Sequence, residues 1–149
     1  MKRIMTALLI LSLAFTLSAC KFKDDTPQVT ASLPEIEAAD QKIADNKVII
    51  DKASIPVNGW LVIHEADPIP EKEKQKIGPL YKAGKILGYV YLPAGPHTNI
   101  EVKIAPTQKK KLIAAVYVDK GQKGILDVPG EDHPYYINLG ALYTIFSLM

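Results

Sequence analysis

Asn99-Ile100-Glu101-Val102-Lys103-Ile104 decides the fold class of this chain. Ile100, Val102 and Ile104 face one way, and Asn99, Glu101 and Lys103 the other. That two-residue period predicts a β-strand with one side against a core and one in water. Working outward, residues 60–63 (Trp60-Leu61-Val62-Ile63) are apolar on both sides, as expected of a central strand. Residues 112–118 are similar, with Leu112, Ala114, Val116 and Val118 on one side and Ile113, Ala115 and Tyr117 on the other.

The rest of the chain from residue 33 follows suit, in short runs bounded by Gly, Pro, Asn and Asp. Residues 47–55 are β-branched, with Asp51 and Lys52 near the middle, where a bulge or a sheet edge is expected. Residues 86–92 predict another strand, turned by Pro93-Ala94-Gly95-Pro96. Residues 36–38 would open the domain and 135–148 would close it. The apolar last ten residues would reach only about 15 Å as a helix, half a bilayer, so a core strand is expected there. Residues 67–85, with three prolines and a mixed charge run from Glu71 to Lys76, read as a solvated loop between strands. About seven strands over residues 33–149 predict an all-β sandwich of two sheets.

The first twenty residues have another character. Lys2 and Arg3 precede an apolar run, residues 4–17, too short to span a bilayer comfortably. Leu17-Ser18-Ala19-Cys20 ends it on small residues and the chain's single cysteine. This resembles the lipobox of bacterial lipoproteins. The resemblance implies removal of residues 1–19 by the lipoprotein-processing enzymes, a covalent lipid on Cys20, and a membrane anchor outside the cytoplasm, on the cell membrane or the outer membrane. Lys21 leans the address toward the outer membrane. Acyl chains contribute roughly 0.8 kcal/mol per buried methylene, enough in combination to hold a domain at a surface. Residues 20–32, polar and proline-containing, read as a tether.

Composition removes several functions. Of 18 Lys and Arg, Lys2 and Arg3 leave with the signal, so 16 face 16 Asp and Glu in the remaining chain. That balance gives no footprint for nucleic acid. With Cys20 acylated, no thiol remains for a disulfide or a thiolate metal site.

Three blocks carry a second resemblance. They are Val48-Ile49-Ile50-Asp51 through Pro56-Val57-Asn58-Gly59-Trp60 to Glu65; Ile86-Leu87-Gly88 through Leu92-Pro93-Ala94-Gly95 to Val102; and Leu112 to Asp119, continuing through Asp127-Val128-Pro129-Gly130-Glu131-Asp132-His133-Pro134-Tyr135. Together they resemble an uncharacterised immunoglobulin-like domain of archaeal surface proteins and of secreted or lipid-anchored bacterial proteins. The resemblance implies a surface β-sandwich with no established activity. Tyr117 stands where it implies a histidine, which weakens a paired-histidine metal site with His64. Lys120 and Lys123 interrupt a turn that it implies to be acidic, which weakens calcium binding.

The residues themselves leave two chemistries open. His64 at a strand end, His97 in a turn and His133 in a loop would form a Cu(II) or Zn(II) site only if the fold gathered them, with Glu65, Asp119 or Asp132 helping. Their spacing shows no His-x-x-x-His pair, and structural roles are expected instead. Asp119, Asp127, Glu131 and Asp132 offer oxygens without the spacing of an EF-hand, so a polar turn is expected. No Gly-x-Ser-x-Gly elbow or phosphate loop is present, and no enzymatic activity is expected. Lys109-Lys110-Lys111 would touch an anionic surface or guard a sheet edge. His97, Tyr135 and Tyr136 would make a binding rim, or the tyrosines would cap the core. No cofactor beyond the lipid is expected. The expected role is binding or structural, with an envelope protein or glycan as partner; metal handling is the alternative.

Overall fold

The computed structural model describes residues 33–73 and 80–149. The signal, Cys20 and the tether lie outside the described residues.

The chain forms two antiparallel sheets face to face. One joins β1 (Glu35–Glu37), β2 (Lys47–Ile55) and β5 (Gly95–Lys103) in the order β1-β2-β5. The other joins β3 (Gly59–Pro68), β4 (Tyr81–Leu92), β6 (Lys111–Val118) and β10 (Tyr143–Ser147) in the order β10-β6-β3-β4, with β7 (His133–Pro134) added beside β6. Seven principal strands divided in this way, with the fourth on the same sheet as the third, are an immunoglobulin-like sandwich. Two short strands, β8 (Tyr136–Ile137) and β9 (Gly140–Ala141), make a separate hairpin.

One core fills the space between the sheets. Val48 and Ile50 of β2 and Ile100 and Val102 of β5 meet Leu61 and Ile63 of β3, Leu112, Ala114 and Val116 of β6, and Phe146 of β10. The alternation expected for residues 99–104 is present: Ile100, Val102 and Ile104 are buried while Asn99, Glu101 and Lys103 are exposed. As expected, β3 and β6 are central and apolar on both sides.

Asp51 and Lys52 mark neither a register slip nor an edge. β2 lies between β1 and β5, and pairing stays in register from Ile50↔Ile100 to Lys52↔Thr98. Instead, the core-facing residues change from Val48 and Ile50 to Ala53 and Ile55. The partner strand makes the matching change at Asn99, whose φ of 51° is left-handed. Asparagine tolerates that region better than most residues. Asp51 Oδ2 accepts a hydrogen bond from the Ala39 N–H at 2.7 Å, tying the chain after β1 to this bend.

Residues 67–85 are less of a loop than expected. β3 runs on to Pro68 and β4 starts at Tyr81, and among the described residues between them Glu71–Glu73 form a 3-10 turn. Irregularities at Ile63/His64 and His64/Ala66 let the ribbon twist and keep pairing past the main sheet. The C-terminal segment is a strand, but an edge one. Only Phe146 of β10 is buried, because Tyr143 and Ile145 turn to the opposite side of the sheet.

Candidate functional site

The larger sheet is apolar on its outer face as well. Trp60, Val62 and Ala66 of β3 and Ile113, Ala115 and Tyr117 of β6 form a second buried cluster there. Leu126 and Val128, from the long connection between β6 and β7, pack onto it, with Tyr81, Ile86 and Tyr91 of β4 and Ile145 of β10. Trp60 meets Tyr91 and Tyr89 edge-on, with centroids 5.1 and 5.6 Å apart. This is why β3 and β6 carry apolar residues on both sides: one face meets the other sheet, and the chain's own excursion covers part of the other.

Part of that face stays open as a pocket of about 220 Å³. Its walls are Tyr81 and Ala83 of β4, Ile113, Ala115 and Tyr117 of β6, and Tyr143 of β10, with Ile69, Pro134 and Ala141 completing them. Small side chains at Ala83, Ala115 and Ala141 leave the space, and tyrosines bound it. Among the described residues Lys82 is the only charged one at its wall, and strand alternation turns its side chain to the other face, opposite Asp67. Lys111, on the same face of β6, places its ammonium 5.9 Å from the Tyr81 ring centroid and 3.3 Å from Ser147 Oγ.

His64 lies within β3, not at its end, and is buried beneath this face. Its Nδ1 is 3.0 Å from the Gly84 carbonyl, which can only accept, so Nδ1 carries the proton. Nε2 then accepts from the Tyr117 hydroxyl at 3.1 Å, and the two rings stack. Burial pushes the His64 pKa below its ordinary value, partly offset by the Gly84 bond. Burial likewise raises the Tyr117 hydroxyl, with a smaller contribution from Tyr136. Both shifts favour the neutral pair and the hydrogen bond that joins it.

Asp132 is buried too, and it organises the loop after β6. Its Oδ1 accepts from the Lys120 and Gly121 N–H groups at 2.9 and 3.1 Å, and its Oδ2 from Asp127 N–H at 2.9 Å. Burial alone would raise this carboxyl, but the backbone donors of Asp127, Gly121 and Lys120 outweigh it and hold the group below its ordinary value. The buried Trp60 indole N–H, outside direct hydrogen-bond geometry, acts in the same direction. Asp119 accepts from Gly124 N–H at 3.0 Å, and Asp127 from Glu131 N–H at 3.3 Å. Asp119, Asp127 and Asp132 therefore each accept from the backbone of their own loop.

The remaining candidates disperse. His97 lies in β5 of the smaller sheet, not in a turn, and its Nε2 donates to the Pro93 carbonyl at 2.7 Å. His133 opens β7 opposite Val118, whereas His64 faces Ile113, roughly 16 Å further along β6 at the usual strand rise. Among the described residues, no three His, Cys, Asp or Glu side chains stand together in a way that could hold a metal ion. Tyr135 packs against the main core, while Tyr136 is exposed, so the two neighbours split the roles that their sequence position leaves open.

The pocket was not foreseen from sequence. Its one available signal was the set of small residues on the second apolar face, Ala66, Ala83 and Ala115, opposite strands already full on the first.

The family model described as Domain of unknown function (DUF7282) matches residues 34–145, three quarters of the chain, from before β1 into β10. The chain belongs to that family. No curated protein and no solved structure matches it.

Proposed function

We propose that this chain is a lipid-anchored β-sandwich of the cell envelope, held through Cys20, with a role in binding rather than catalysis. Lys2-Arg3, the apolar residues 4–17 and Leu17-Ser18-Ala19-Cys20 support the anchor. The observation that carries the binding role is the open part of the second apolar face. Native domains cover such faces or use them, and this one is covered only in part. The polar candidates point the same way, since His64 and Asp132 direct their ring nitrogens and oxygens into the protein. The likeness of the three sequence blocks to an immunoglobulin-like surface domain fits this reading.

Expression of the full chain in a bacterial host, followed by fractionation and mass spectrometry of the N-terminal peptide, tests the anchor. Wild type is expected in the membrane fraction with acyl mass on residue 20. Cys20→Ser is expected to lose both the cleavage before residue 20 and the acyl mass. A wild-type chain without acyl mass would sink this part of the proposal.

A further inference from the structure

We infer that the pocket on the outer face of the larger sheet binds a small amphipathic anion, an apolar body of roughly medium-chain length with a single carboxylate head. The inference deepens the binding role proposed above and does not depend on the anchor.

Three observations carry it. The first is lining: Tyr81, Ala83, Ile113, Ala115 and Tyr143 present carbon, so a glycan would lose hydrogen bonds to water there without replacing them. The second is size. The space of about 220 Å³ takes about seven groups of water's ~30 Å³. A protein partner needs a much larger surface, about 800 Å² on each side.

The third is charge. Among the described residues no carboxylate lines the pocket, and Lys111 stands over Tyr81 at its edge. The nearby acids are engaged elsewhere: Glu65 accepts from Thr107 Oγ1, and Asp67 pairs with Lys109 at 2.8 Å. A ligand with its tail over Ala115 and its head toward Lys111 would satisfy both parts of the site.

The test uses the unlipidated chain from residue 20, carrying Cys20→Ser, which retains the whole sandwich described above. Octanoate and octanol are titrated by calorimetry, with fluorescence of the sole tryptophan, Trp60, as a second readout. Octanoate is expected to bind saturably, one per chain, and at least about 10-fold more tightly than octanol, consistent with a charge-assisted contact. Ala115→Leu, which fills the pocket, is expected to abolish binding. Ala141→Leu, nearer the rim, serves the same purpose should the first variant melt early. Lys111→Gln is expected to bring octanoate to the level of octanol. Equal affinity for the two probes in the wild type would overturn the anion inference while leaving the pocket as a binding face. Absence of binding by either would overturn it and remove the pocket from the proposed function, with the anchor still judged by fractionation.

Discussion

The Tyr117 hydroxyl lies 3.1 Å from His64 Nε2, and the two rings stack with centroids 5.7 Å apart. The residues are 53 positions apart in the chain and reach each other from adjacent strands across Ala115 and Val62. The contact turns the most metal-like histidine of the sequence into a structural one, with a donor bond at one nitrogen and an acceptor bond at the other. Tyr117→Phe removes the donor and leaves a buried acceptor unpaired, which costs about 1–3 kcal/mol. Urea unfolding of the two proteins should show that difference in midpoint with an unchanged slope.

The same pair gives stability a pH dependence. The folded His64 ring titrates below its ordinary 6.5 because it is buried. The unfolded chain therefore takes up that proton first, so the contribution is full above pH 6.5 and declines as pH falls below it. Thermal melts between pH 7.5 and 5 should show wild type losing melting temperature on the acid side. His64→Gln should show a smaller loss over the same interval, whatever its starting stability. Parallel curves would mean that His64 is not the titrating group.

Asp132 works with the same sign in a more acidic window. Its folded carboxyl sits below the ordinary 3.8, so its contribution is present above that pH and is lost as pH falls through the folded value. Asp132→Ala leaves three backbone N–H groups in the loop after β6 without their acceptor and should cost about 2–4 kcal/mol. Asp132→Asn should cost less and flatten the acid limb of the stability curve below pH 3.8. Hydrogen exchange at Lys120, Gly121 and Asp127 locates the effect: those amides should lose protection while the core amides of β3 keep theirs.

How far the fold could be foreseen depended on where each strand keeps its information. Residues 99–104 state their own conformation, because water on one side and core on the other force a two-residue period. Trp60-Leu61-Val62-Ile63 announces a central strand by having no polar side. Residues 81–85, Tyr-Lys-Ala-Gly-Lys, announce nothing. They become strand only by pairing with Ala66, Asp67 and Pro68, and Glu65-Ala66-Asp67-Pro68 itself looks like the end of a strand. His64 was misplaced for that reason. The pocket was further out of reach, since Ile69, Ala115 and Tyr143 meet only once both the β3–β4 ribbon and the C-terminal strand have taken their places.

Where the two sheets meet, a missing side chain matters. A Cβ at Gly88 of β4 would run into the Lys103 carbonyl at the end of β5. Next to it the Ala105 N–H donates to the Leu87 carbonyl at 2.8 Å, so the backbones are held together at this corner. Gly88→Ala must separate them and should cost about 1–3 kcal/mol. Gly140→Ala, where a Cβ meets nothing within 4 Å, should stay within about 0.5 kcal/mol of wild type. Similar costs at both positions, measured by denaturant unfolding, would show that glycine entropy and not close approach governs Gly88.

The C-terminal strand separates edge position from energetic weight. β10 pairs only with β6 in the larger sheet, yet Phe146, opposite Leu112, is almost wholly buried, at 1% exposure, inside the main core. Tyr143 on the same strand faces outward and is 38% exposed. A fully buried phenylalanine cut to alanine loses its transfer energy and leaves a cavity, about 3–5 kcal/mol together. Phe146→Ala should therefore shift the unfolding midpoint severely. Tyr143→Ala should cost less than about 1 kcal/mol, in line with its exposure, and act on ligand binding at the pocket instead. If both variants melt alike, the strand contributes through its hydrogen-bonded pairing with residues 111–115 and not through Phe146. A chain ending at residue 142 would then be destabilised no more than either substitution combined with loss of that ladder.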